Sequence, residues 1–195
     1  MTNISQKITG NMVLLVPFTR DYGKKMHASE LARLIKQPQR TVARKLEDLK
    51  KLNMLDYTRA GRNKYFFLDL NKSYPLIQMV ECYKEINFLY HHSKIAFLLR
   101  ELSADYPLIL FGSYAKGLAK DHSDVDLIMI GRKSKKITEI LKRYPFEVNI
   151  FYFTLTGFKK LVNKKEHLGV EIVKDHIIFG DKEEIIKLFM GNYAK

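Results

Sequence analysis

Of 195 residues one is cysteine, Cys82, and none is tryptophan. A single cysteine excludes an internal disulfide framework and a cysteine-rich zinc site, and Cys82 is expected as a small buried residue. No apolar run approaches the roughly 20 residues of a membrane-spanning helix, so no membrane partner is expected. The opening segment MTNISQKITG lacks a basic start followed by an apolar core, so it does not read as a secretory leader and a cytoplasmic location is expected. Acidic residues are also scarce, 21 Asp+Glu against 34 Lys+Arg, for a net charge of +13. The surplus is uneven: residues 1–75 carry 15 basic against 6 acidic residues, the remainder 19 against 15. A basic surplus gathered in one region points to a polyanion, most often nucleic acid. The hydrophobic fraction of 46% is that of a folded globular chain.

The first part of the chain alternates short helical and strand-like patterns. Residues 5–18 place Ile8, Met12, Leu14, Leu15 and Phe18 on one helical face. Ser29 is the expected N-cap of a helix over LARLIK, which Gln37-Pro38 breaks. A basic helix follows from about Gln39 to Leu52, with Val42, Leu46, Leu49 and Leu52 at three- and four-residue spacing. MLDYT and YFFLDL then flank the basic turn RAGRNK, the pattern of a hairpin. Residues 73–104 read as two helices, the second capped by Ser93. One stripe of the first, Ile77, Val80, Tyr83 or Lys84, Asn87 or Phe88 and His91, is a candidate seam for a homodimer.

Leu108 to Ile130, LILFGSYAKGLAKDHSDVDLIMI, carries the chemistry. Leu108–Phe111 reads as a buried strand, Gly112-Ser113 as a tight turn before a helix start, and Val125–Ile130 as a second strand. Asp124 and Asp126, two residues apart at the strand entrance, point to one face. Two adjacent carboxylates repel unless a cation lies between them, and the fitting cation is divalent and oxygen-loving: Mg²⁺, or Mn²⁺ in its place. Free N–H groups at the Gly112-Ser113 turn favour a phosphate. Phosphate cradle and metal carboxylates together are the equipment of phosphoryl or nucleotidyl transfer, with an NTP as substrate. Glu147 and Asn149 share a face of the next strand, FEVNIFYFT, and either stands as the third member of the site. Lys116 and Lys120 lie close enough to assist phosphate binding.

Two resemblances follow from these residues. Helix, helix, helix, hairpin over residues 5–72 resembles a winged helix-turn-helix domain. It implies that Gln39, Arg40, Thr41, Arg44 and Lys45 lie on a recognition helix, and that Arg59, Arg62 and Lys64 form a wing on phosphates or the minor groove. The spacing GS-x10-D-x-D between apolar strands resembles the nucleotidyltransferase superfamily shared with DNA polymerase beta, poly(A) polymerase and kanamycin nucleotidyltransferase, most of all its minimal prokaryotic members. It covers about residues 93–190. It implies that Gly112 and Ser113, with Lys116, bind the triphosphate, and that Asp124, Asp126 and Glu147 hold two Mg²⁺ ions and help deprotonate an acceptor hydroxyl. The family often has Asp near position 149, where this chain has Asn149; a third position at Asn149 would lack a metal ligand and base.

The expected fold class is α+β: a winged helix-turn-helix domain over residues 1–74, a connector helix over 75–92, and an α/β nucleotidyltransferase domain with a mixed sheet over 93–195. The expected function is Mg-dependent transfer of a nucleoside monophosphate from an NTP to an acceptor, linked to DNA binding. The competing expectation is a DNA-binding regulator whose nucleotidyltransferase fold senses nucleotide or is inactive.

Overall fold

The computed structural model describes residues 11–120, 122–164 and 166–193. The chain divides into two compact units, Met1–Val80 with Tyr193–Lys195, and Glu81–Asn192.

In the first unit, helix α1 spans Met12–Thr19. It buries Met12, Leu14, Leu15 and Phe18, four of the five apolar residues expected on that face; Ile8 lies outside the described residues. Strand β1, Met26–His27, leads directly into helix α2, Ala28–Leu34. The helix starts earlier than Ser29 suggests, because the cap is His27: its Nδ1 accepts from the Ser29 backbone N–H at 3.2 Å and meets Ser29 Oγ at 2.7 Å. An imidazole acceptor does here what Asp or Asn usually does at an N-cap. Helix α3, Gln39–Lys51, follows Pro38 and seats Val42, Leu46 and Leu49 fully in the core. Replacing one such leucine by alanine costs about 2–5 kcal/mol. Asn53, at φ 55°, reverses the chain, and the Met54 N–H returns to the Leu49 carbonyl.

Strands β2, Leu55–Ala60, and β3, Asn63–Leu68, pair antiparallel from Leu55↔Leu68 to Ala60↔Asn63. The connecting Gly61-Arg62 turn has two residues, and Gly61 takes the left-handed φ of 59° that such turns require. β1 adds to the other side of β3, giving the order β1-β3-β2.

Helix α4 is continuous from Tyr74 to His91 and runs through the division between the units. The stripe read as a dimer seam is mostly interior: Ile77, Val80, Lys84 and Phe88 are buried within the chain. Cys82, expected buried, is exposed, because it lies on the helix face turned away from that packing.

The second unit wraps helices around one mixed sheet. Its elements after α4 are α5 (Ser93–Ser103), β4 (Leu108–Phe111), α6 (Gly112–Lys116), β5 (Val125–Ile130), α7 (Lys135–Lys142), β6 (Val148–Phe153), α8 (Leu155–Asn163), α9 (His167–Lys174), β7 (Ile177–Phe179) and α10 (Glu183–Gly191). The strand order is β6-β5-β4-β7. β5 and β6 are parallel, which the crossover helix α7 permits; β4 is antiparallel to both its neighbours. Every residue of β4 is buried, as a central strand demands, and β6 at the edge alternates half-buried and exposed positions. Thr154 caps α8 through a bond from the Gly157 N–H at 3.1 Å, and Ser134 caps α7 through Ile137 at 3.3 Å. Leu98, Leu99, Leu108, Leu110, Leu127 and Met129 form the centre of the core.

Candidate active site

The β4–α6 turn and the entrance of β5 meet at a single glycine. β4 and β5 pair with Phe111 opposite Asp126, so Gly112 lies beside the Asp126 side chain. A Cβ on Gly112 would stand 2.4 Å from Asp126 Oδ2. Gly112 also has φ 69°, a conformation that side chains resist. The glycine is therefore required twice, by the backbone and by the carboxylate that fills the space beside it. Asp126 is half-buried there, and Asp124, two residues earlier, is exposed. Helix α6 ends at Gly117, φ 70°, where the N–H groups of Gly117 and Leu118 return to the Ser113 carbonyl. Ser113 is half-buried on its first turn.

The third strand presents its two candidates differently. The parallel register sets Asn149 beside Asp126, and Asn149 Nδ2 donates to Asp126 Oδ1 at 3.1 Å. Glu147 lies two residues earlier, its carbonyl accepting from the Val125 N–H at 2.9 Å. It is exposed and lines a cavity of about 610 Å³ with Tyr114 and Ser123, the chain neighbours of Ser113 and Asp124. An amide thus occupies the place next to Asp126, and the carboxylate sits one pleat back, at the level of Asp124. Among the described residues no group of three His, Cys, Asp or Glu is close enough to hold a metal ion. Two carboxylates still fit Mg²⁺, which is commonly held by one or two carboxylates with the rest of its shell from water and substrate phosphates.

Lys116 donates its Nζ to Glu171 on α9. This hydrogen bond, with the Glu171 charge, raises the Lys116 pKa. Lys116 is cationic, but one of its donors is engaged before any phosphate arrives. The backbone N–H of Lys120 donates to Ser123 Oγ at 2.8 Å, which ties the loop that leads into Asp124.

Sequence reasoning missed a buried charged cluster. Glu81, Lys84 and His176 are all within 6% exposure. Lys84 Nζ lies 2.8 Å from Glu81 Oε2 and 2.9 Å from Oε1, and His176 Nε2 stands 3.3 Å from Glu81 Oε1. Burial opposes the Glu81 charge, yet Lys84 and His176 together bring its pKa down to about 2. Burial, and then Lys84, lower the pKa of His176. The three positions are 81, 84 and 176, and no local pattern links the last to the first two.

In the first unit the expected DNA-facing side chains divide into two sets. Gln39, Arg40 and Arg44 on α3, and Arg59 and Arg62 at the hairpin end, are exposed. Thr41 is half-buried. Lys45 donates to Gln37 at 3.3 Å. Lys64 is engaged with Glu47 at 2.6 Å and lies 4.5 Å from the centroid of the Tyr57 ring.

Residues 92–187 match the family model described as a nucleotidyltransferase domain. The match is to this stretch alone, just under half of the chain. A protein of Methanocaldococcus jannaschii that carries the provisional name protein adenylyltransferase is 29% identical over 89 residues, 45% of this chain and 66% of that relative. The match spans just under two thirds of the relative's length. No solved structure matches the chain. Among the described residues no helix is long and apolar enough to cross a membrane.

Proposed function

We propose that the second unit transfers a nucleoside monophosphate from an NTP to an acceptor hydroxyl, and that the first unit binds duplex DNA. The observation that carries the first half is the Asp126 carboxylate in the space a Gly112 side chain would fill. Phosphate turn and carboxylate strand then make one site. Gly112 and Ser113 receive the triphosphate, and Lys116 exchanges Glu171 for a phosphate oxygen. Asp124 and Asp126 would hold Mg²⁺, or Mn²⁺; when bound, the metal neutralises phosphate charge and lowers the pKa of a coordinated hydroxyl. The acceptor oxygen bonds the α-phosphorus, the bond to the β-phosphate breaks with its electron pair, and pyrophosphate leaves. Glu147 takes the hydroxyl proton. The relative's name makes ATP and a protein side chain the first donor and acceptor to try.

A second reading is favoured by Asn149. With an amide beside Asp126, the site has the two aspartates and no third carboxylate at that register, which suits a regulator that binds nucleotide without turnover. Isothermal titration of the intact chain with Mg-ATP, Mg-GTP, Mg-CTP and Mg-UTP separates the cases. Binding that disappears in Asp124→Ala, with pyrophosphate released over an acceptor panel, supports transfer. Binding without release supports the sensor. An absence of binding to any of the four sinks both.

For the first unit, we read α1, α2, α3 and the β2–β3 hairpin as a winged helix-turn-helix domain. α3 would enter the major groove through Gln39, Arg40, Thr41, Arg44 and Lys45, and the Gly61-Arg62 turn would be the wing, with Arg59, Arg62 and Lys64 on phosphates. The exposure of four arginines on these two elements supports this reading. A homodimer would present two such helices to half-sites about one helical turn apart. Footprinting of selected duplexes tests that spacing.

A further inference from the structure

The cavity of about 610 Å³ beside the aspartates is lined, Glu147 apart, by side chains that the transfer chemistry leaves without a task. Its cationic and titratable members are His91, His92, Lys94, Lys120 and His122, and Glu147 is the one carboxylate among its described lining. Several lysines elsewhere in this unit are paired: Lys84 with Glu81, Lys116 with Glu171, Lys136 with Asp105, Lys182 with Glu85, Lys187 with Glu183. Lys94 and Lys120 are both exposed, and among the described residues neither has an ion-pair partner. The His92 ring is held between Phe88, stacked at 4.3 Å, and Tyr114, edge-on at 5.6 Å. Among the described residues, two ammonium groups without an ion-pair partner, one imidazole held between aromatic rings and one carboxylate at the edge suit an anion. That edge is Glu147, the residue level with Asp124.

We propose that this cavity takes a phosphate group carried by the acceptor, held by Lys94, Lys120 and His122, so that the acceptor hydroxyl reaches Glu147 and Asp124. The inference rests on the transferase reading and adds the acceptor class: a molecule with a phosphate near its reactive hydroxyl. Glu147 disfavours an anion at its own end of the cavity, so the phosphate sits toward the lysines and the neutral hydroxyl toward the carboxylate.

The probe is inorganic phosphate, titrated into the intact, metal-free protein while the histidine side-chain ¹⁵N resonances are followed. Saturable shifts of His92 and His122 are expected, retained in Asp124→Asn and weakened about tenfold for each charge-assisted hydrogen bond removed in Lys94→Gln with Lys120→Gln. No saturable shift, or one that the double lysine variant leaves unchanged, overturns the proposal. A second titration adds saturating Mg-ATP to the phosphate-bound protein. If the His92 and His122 resonances stay at their phosphate-bound positions, the cavity is separate from the nucleotide and the acceptor assignment stands. If ATP moves them away from those positions, to new ones or back to the free ones, nucleotide and phosphate exclude each other from the cavity and the assignment falls. Phosphate binding in a protein that binds no NTP would sink the transferase reading and the acceptor assignment with it, and would leave an anion cavity alone.

Discussion

The two units handle charge in opposite ways. The second keeps its critical charges fixed: Glu81, Lys84 and His176 are buried against one another, and Asp126 is wedged against Gly112 and bonded by Asn149. The first leaves Arg40, Arg44, Arg59 and Arg62 exposed on a helix and a hairpin tip. A fixed buried charge has few alternatives to its partner, so removing that partner is destabilising. An exposed arginine has water, and its removal is felt chiefly by whatever binds there. Substitutions should therefore lower stability in one unit and weaken binding in the other.

The largest expected effect is Glu81→Ala, which removes the buried carboxylate that both Lys84 and His176 face and should cost about 3–5 kcal/mol. Urea unfolding followed by circular dichroism measures it, and a loss under 1 kcal/mol, roughly a surface value, would break the contrast. Gly112→Ala comes next. The positive φ alone costs about 1–3 kcal/mol, and the new methyl must also displace the Asp126 carboxylate. Mg-NTP binding should be lost while most of the fold survives; unaltered binding would refute the joint site.

Acidification is the third test, with its sign set by the buried pair. The pKa of Glu81 is brought down to about 2, so its contribution is complete above the ordinary value of 4.5 and is lost as pH falls toward 2. His176 is held below 6.5 and favours its neutral form, so its contribution too is present above 6.5 and lost on acidification. The urea midpoint should fall from pH 7 to pH 3, and Glu81→Gln should flatten the lower part of that curve. A midpoint that rises on acidification contradicts both assignments.

The smallest stability effect belongs to Arg40→Ala with Arg44→Ala, within about 0.5 kcal/mol of the parent. Duplex binding should weaken, and the log–log salt slope should flatten by about 2, since two phosphates are no longer neutralised. Lys64→Ala should change the slope less, because Glu47 already engages that ammonium. An equal change for Lys64 would mean that DNA displaces Glu47.

Much of the site was legible in the sequence because its parts are close along the chain. Gly112, Ser113, Asp124 and Asp126 lie within fifteen residues, and strand alternation alone puts the two carboxylates on one face. The match of residues 92–187 to a nucleotidyltransferase domain agrees with the stretch, about residues 93–190, that the spacing marked out. The helix start at His27 was not legible, since histidine is an unusual cap and its role needed the ring's orientation. Lys116 looked available for phosphate until α9 brought Glu171 to it across 55 positions.

The sequence by itself determined the local grammar: apolar strands, turn glycines, the i, i+2 aspartates and the concentration of basic residues in the first 75. These depend on backbone geometry and side-chain alternation, which act over a few residues. Only the tertiary structure decided between Glu147 and Asn149 for the place beside Asp126, because that choice is a strand register and one pleat moves it. It also decided that His176 meets Glu81, 95 positions away, beside the buried Lys84–Glu81 pair, since burial and long-range pairing are properties of the packed chain.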